Sequence, residues 1–281
     1  DVLVLQYPLS DQALVWLKSV RELTDTFAVL EVDALGQVIK GAQNSDLGPH
    51  ARHLLRQCFD LVDRIVVPNA SMADALSGLH QDIQVVPARL SPTVWGNDGV
   101  LRGHVDKLRV GYVSERGRQG TLQLIADTVC ELADRVTWVF LGECPDALRP
   151  FVNEVHSTVG SEEYPRKLAA LNLDLAVVPS APDSPHEYAS ELQRLLEFGA
   201  CGVPVICSHR ESWVGDWPVT VVGDGTADWV SAIESCIADV AANAQRGIAL
   251  HAAVLQEGMW NADALQVLSS SWLPDPSRAR T

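Results

Sequence analysis

Short apolar runs alternate with stretches of helical spacing along almost the whole chain. VLVLQ (2–6), FAVLEV (27–32), RIVVP (64–68) and IQVVP (83–87) are short, mainly apolar runs of strand length and read as strands. Between them, SDQALVWLKSVREL (10–23), GPHARHLLRQCFDLV (48–62) and SMADALSGL (71–79) repeat their apolar residues with helical periodicity. Ser10 and Ser71 are N-cap residues by type, and Pro49 suits a first helical turn. Residues 91–107, SPTVWGNDGVLRGHVDK, break the rhythm with Pro, Gly and Asp and read as an interdomain linker. The alternation then resumes. Strands are predicted at KLRVGYV (107–113), VTWVFLG (136–142), EVHSTVG (154–160), LDLAVVP (173–179), VPVICS (203–208) and PVTVVG (218–223). Helices are predicted near 119–133, from 145, near 163–171 and near 187–199, and the sequence is helical after Asp224.

Strands alternating with helices make βαβ units and parallel sheets. The fold class is therefore α/β, with two Rossmann-like domains facing a cleft, residues 1–104 and 105–258. Ligands of open α/β sheets bind beyond the carboxyl ends of the strands. The residues just after each strand are thus the candidates for chemistry.

Composition narrows the partners. The formal net charge is −15 and no basic stripe is visible, which argues against nucleic acid and an anionic membrane surface. No apolar run approaches the ~20 residues of a spanning helix, so no transmembrane segment is expected. The chain opens on DVLVLQ, a strand rather than a signal peptide, which leaves room for native residues before Asp1. None of the six cysteines falls in a CxxC pair or a metal-ligand spacing. They read as reduced thiols, which points to the cytoplasm.

Three strand ends of the second domain and one late helix position carry candidate chemistry. The first strand of the second domain ends in GYVSERGRQGTLQLI (111–125). Its loop holds Ser114, Glu115, Arg116 and Arg118 ahead of a helix start, a place for an anion but also an ordinary solvated loop. It is neither a P-loop nor a GxGxxG motif. The next strand ends in FLGECPD, where Gly142 permits a close approach. The loop from Ser180 to His186 lands on a helix start with Glu187 and Ser190. Late on that helix, Glu197 adjoins the core stripe of Leu192, Leu195 and Leu196. A carboxylate there needs partners: an ion pair with Arg194, or the vicinal hydroxyls of a ribose. Spacing is compatible with both. Gln6, Tyr7 and Asp33 stand at strand ends of the first domain, as turn residues or as groups facing the cleft.

Taken in order, these strand ends and LEFGACGVPVICS (196–208) resemble the nucleotide-binding domain of GT-B glycosyltransferases, most closely the family-4-like enzymes of bacterial surface polysaccharides. The resemblance covers residues 105–215 well and the first hundred more loosely. It implies a UDP- or GDP-linked sugar as donor, a glycan or lipid-linked acceptor, anomeric retention and no obligatory metal or other cofactor. It implies that Glu197 binds the ribose, that backbone at Glu163 and Tyr164 meets the base, and that Ser114–Arg118 and His186–Ser190 face the diphosphate. Arg116, Arg118 and His186 are then the catalytic candidates; Ser114, Glu115, Gly142, Glu163, Tyr164, Glu187, Ser190 and Glu197 are the nucleotide-binding ones. Residues 259–281 would form a helix packing back on the first domain through Met259, Trp260, Leu265 and Leu268. The chain departs from the family at several positions. The family's loop histidine falls at Arg118 and its Asp at Thr121. The lysine of its KS pair falls at Ser190, and the first acid of E-x7-E falls at Ala189. The first domain is short. These departures keep open a non-catalytic module of the same fold that binds a nucleotide, a glycan or another subunit. A sugar-nucleotide epimerase would need cleft acids and histidines that the sequence lacks.

Overall fold

The computed structural model describes residues 1–6, 10–32, 49–95, 107–114, 119–180, 187–209 and 216–275. In the first lobe, β1 (Val2–Gln6), β2 (Phe27–Glu31), β3 (Arg64–Val67) and β4 (Ile83–Val85) lie side by side in chain order, all parallel. The helices α1 (Asp11–Leu23), α2 (Pro49–Leu61) and α3 (Ala70–Leu76) belong to the same lobe. Leu14, Leu17, Leu54, Leu55 and Phe59 bury against Ala28, Leu30, Ile65 and Val67. Full burial of one such side chain is worth about 1.5–3 kcal/mol. The Ser10 hydroxyl caps α1 by accepting the Ala13 N–H at 3.1 Å. The cap of α3 is Asn69, not Ser71: Asn69 Oδ1 accepts the Met72 N–H at 2.8 Å. Asn caps as well as Ser, and the chain enters its helical turn two residues earlier than the serine suggests.

A short helix, α4 (Pro92–Trp95), follows inside the interdomain segment. Its Trp95 packs edge-on to Tyr164, with ring centroids 5.9 Å apart. This part of the segment is therefore packed structure rather than a bare linker.

The second lobe contains β5 (Arg109–Val113), α5 (Gln119–Gln123), α6 (Ala126–Glu131), β6 (Thr137–Leu141), β7 (Glu154–His156), α7 (Tyr164–Ala170) and β8 (Leu175–Val178). It continues with α8 (Glu187–Ala200), β9 (Val205–Ser208), β10 (Thr220–Val222), α9 (Thr226–Ala238) and α10 (Val240–Glu257); α11 (Ala262–Trp272) ends the described chain. The sheet order is β10-β9-β8-β5-β6-β7, all parallel. The chain starts in the middle, walks outward to β7, then returns to the other side of β5. The doubly wound order puts its switch point between β5 and β8. Tyr112, Trp138 and Phe140 on one face pack with Val129, Trp229 and Ile233. Val139, Leu141, Ala176 and Val178 on the other pack with Leu168, Leu195, Phe198 and Leu250.

Two helices differ from the periodicity. The one expected near 119–133 is split at Leu124 and Ile125, whose N–H groups reach back three residues to Thr121 and Leu122. The one expected from 145 is reduced to a 3₁₀ turn at Arg149–Phe151. Pro150 has no N–H to donate and blocks a regular helix there.

The chain returns to the first lobe beside its own outward crossing. Leu90 donates to the Gly258 carbonyl at 2.8 Å and accepts the Trp260 N–H at 2.9 Å. Trp260, Leu268 and Trp272 then cover Val29, Val66 and Val86, on the sheet face opposite to α1–α3. Arg64, 3% exposed, pairs with Asp82 and donates to the carbonyls of Ser271 and Leu273 at 3.0 and 2.7 Å. Trp272 Nε1 donates to Glu31 at 2.8 Å. Leu265, expected in this contact, is 50% exposed because it lies on the outer side of α11, and Met259 joins the second lobe's core.

At the other edge of the second sheet, Arg109 grips Glu154 through two hydrogen bonds, of 2.7 and 3.0 Å. Chiefly through this bond, the Glu154 carboxyl is held down to about 2. A depressed acid stabilises the fold above its unfolded value, near 4.5, and loses that contribution as pH falls towards 2. Stability measured across this window should therefore fall less steeply in Glu154→Gln. The difference stays below about 1 kcal/mol, since the pair is partly exposed.

Candidate functional site

The carboxyl ends of β5 and β8 diverge at the switch point. At the end of β5, buried Ser114 donates its N–H to Leu141 at 2.9 Å. Gly142, at the end of β6, has φ +112°, and a Cβ there would come within 2.3 Å of the Ser114 carbonyl oxygen. The glycine thus lets two strand ends meet; its contact is Ser114 itself. A cavity of about 350 Å³ opens beside them, lined by Ser114, Leu122, Glu143, Cys144, Pro145 and Asp146. Thr121, where the family carries Asp, is buried with its hydroxyl 3.3 Å from that of Tyr112.

At the end of β8, the Ser180 N–H donates to Ser208 Oγ at 2.9 Å, and the Ser180 hydroxyl donates to Glu191. Glu191 is 4% exposed. It is an unforeseen site residue. It stands four residues before Leu195 and seven before Phe198, so helical spacing does set it on the buried stripe. Burial, and then the Glu191 charge, push the Cys207 thiol up.

Glu197 sits near the end of α8 and is 3% exposed. Its Oε2 accepts from the Tyr164 hydroxyl at 3.1 Å and from Arg194 Nη1; its Oε1 accepts from Gln193 at 3.1 Å. Burial pushes its carboxyl group up, and Arg194, Tyr164 and Gln193 pull it partly back. Burial, with the Glu197 charge, also raises the Tyr164 phenol. Arg194 lies over the Tyr164 ring, 5.4 Å from the centroid. Tyr164 is thus held between Arg194 and Trp95. The ion pair between Arg194 and Glu197 is present.

The remaining candidates divide. The N–H groups of Glu163 and Tyr164 both donate to the Gly160 carbonyl, at 3.1 and 3.0 Å, and Glu163 is exposed. These two amides close a turn. Glu187 and Ser190 lie in the first turn of α8, described as backbone only. Glu115, Arg116, Arg118 and His186 lie outside the described residues, as do Tyr7 and Asp33. Gln6 is exposed and bonds to Glu31. No cluster of three potential metal ligands occurs among the described residues, and none of their helices is long and apolar enough to cross a membrane.

Two parallel-sheet lobes, the second doubly wound, with the last helix returned to the first, define a GT-B fold. Solved structures agree. The chain is similar to Anabaena HepE in complex with UDP, at 13% identity, covering 95% of this chain and 78% of that one with a TM-score of 0.66. It is similar to S. aureus TarM at 10% identity, covering 93% and 58%, with a TM-score of 0.63. It is also similar to the pneumococcal O-GlcNAc transferase GtfA in complex with UDP and GlcNAc, at 13% identity, covering 92% and 54%, with a TM-score of 0.51. No family model matches the sequence, and no curated protein does.

Proposed function

We propose that the chain is a glycosyltransferase that moves a sugar from a UDP- or GDP-linked donor to a glycan or lipid-linked acceptor, with retention. The observation that carries this reading is the Glu197 cluster. A buried carboxylate with a tyrosine and an arginine stands on the helix that follows the switch-point strand β8. That is where an open α/β sheet takes its ligand. Structures of similar fold hold UDP and UDP-glucose (HepE), or UDP with GlcNAc-glycerol (TarM).

In this reading Glu197 accepts the ribose hydroxyls. Ser114 with Glu115, Arg116 and Arg118, and His186 with Glu187 and Ser190, line the diphosphate. Arg116, Arg118 and His186 offset the charge that develops on the leaving group. The departing phosphate can take the acceptor proton, so a retaining transfer needs no carboxylate pair. Residues 1–104 bind the acceptor, 105–258 the donor, and 259–281 tie the two together. The reaction belongs in the cytoplasm, in keeping with the buried thiols of Cys58, Cys201, Cys207 and Cys236.

A specific feature favours a non-catalytic nucleotide-binding module instead. Ser190 replaces the family's lysine, and the next residue, Glu191, adds a buried acid beside Ser180 at the end of β8. Both changes make the site less cationic. Incubation with UDP- and GDP-sugars separates the two readings. The glycosyltransferase releases free nucleoside diphosphate, slowly without acceptor and faster with a glycan. Binding without any release favours the module.

A further inference from the structure

The cation missing at Ser190 is found one turn further along the same helix. Ser190, Arg194 and Glu197 follow one another at four and three residues on α8 and so share a helix face. One turn, about 5.4 Å, is within the reach of an arginine side chain. Arg194 is engaged with Glu197 and Tyr164, yet its side chain is 19% exposed against 4% for Glu197. Of the pair, it is the member nearer solvent.

Building on the donor-site reading, we propose that Arg194 is a further counter-ion of the diphosphate, beside Arg116, Arg118 and His186, held on Glu197 until a nucleotide arrives. The two ribose hydroxyls take over Oε2 of Glu197. The guanidinium, displaced, turns along the helix face to the phosphates. The carboxylate exchanges one set of donors for another and is never left buried and unpaired, the state that costs most. The guanidinium exchanges a carboxylate for a phosphate, which its planar fork matches equally well. The exchange sets selectivity. A ligand has to bring a vicinal diol for Glu197 and an anion for Arg194. A nucleoside without phosphates displaces the arginine from Glu197 and brings it no anion.

Calorimetric titration of UDP, GDP, uridine and guanosine into wild type, Arg194→Leu, Arg194→Gln and Arg194→Lys tests this. For the base that binds, wild type should prefer the diphosphate to its nucleoside by about tenfold or more. In Arg194→Leu the preference should shrink by about threefold or more, with Arg116, Arg118 and His186 supplying what remains, while the nucleoside binds at least as well as before because Glu197 is relieved of the arginine. Arg194→Gln keeps a neutral donor for Glu197 and should show the same shrinkage, so the test survives if the leucine variant fails to fold. Arg194→Lys should retain most of the preference. A wild-type preference preserved in both neutral variants would overturn the exchange while leaving the donor site standing. Failure of both diphosphates to bind wild type would overturn the donor site and the exchange together.

Discussion

Replacing Arg64 with methionine should destabilise the protein by about 3–5 kcal/mol. An exposed ion pair would be worth ~0–1 kcal/mol, but this one lies under α11. Asp82, 15% exposed at its side chain, would lose both hydrogen bonds of 3.1 Å to the guanidinium. The carbonyls of Ser271 and Leu273, at the end of α11, would lose their donor, and the arginine's place 5.3 Å from the Phe27 ring would lose its charge. A cation at a helix C-terminus also interacts favourably with the negative end of the helix dipole. The consequence reaches past the pair, because α11 shields Val29, Val66 and Val86 of the first sheet. Urea denaturation followed by tryptophan fluorescence reads the loss. A change below about 1 kcal/mol would mean that apolar contacts alone hold α11.

Gly142→Ala should cost about 2–4 kcal/mol. The backbone at φ +112° is strained for any side chain, and the added Cβ meets the Ser114 carbonyl oxygen at 2.3 Å. Relief requires the end of β5 to move, so nucleotide binding should weaken with stability. Gly160→Ala is the control. Its Cβ would meet nothing within 4 Å, and it should fall within about ±0.5 kcal/mol of wild type. Equal behaviour of the two variants would contradict the close approach of Gly142 and Ser114.

The strands were legible because a parallel strand buried on both faces leaves an unbroken apolar run, as in IVV at 65–67 or LAVV at 175–178. Glu197 was legible as an acid beside a core stripe, and Arg194 as its neighbour three residues before. What stayed hidden acts over long separations. Tyr164 reaches Glu197 across 33 residues, and Arg64 reaches Ser271 across 207. Neither contact leaves a local trace. Glu191 was legible but passed over: it is in register with Leu195 and Phe198 on the buried stripe, while its partner Ser180 lies eleven residues away.

The central claim is that a nucleoside diphosphate binds the second lobe with its ribose on Glu197. Thermal unfolding of wild type and Glu197→Ala with UDP or GDP tests it most directly. One of the two nucleotides, at ~100 times its Kd, should stabilise wild type by about 2.7 kcal/mol, and most of that gain should vanish in Glu197→Ala. Silence from both nucleotides, or an equal gain in the variant, would contradict the claim.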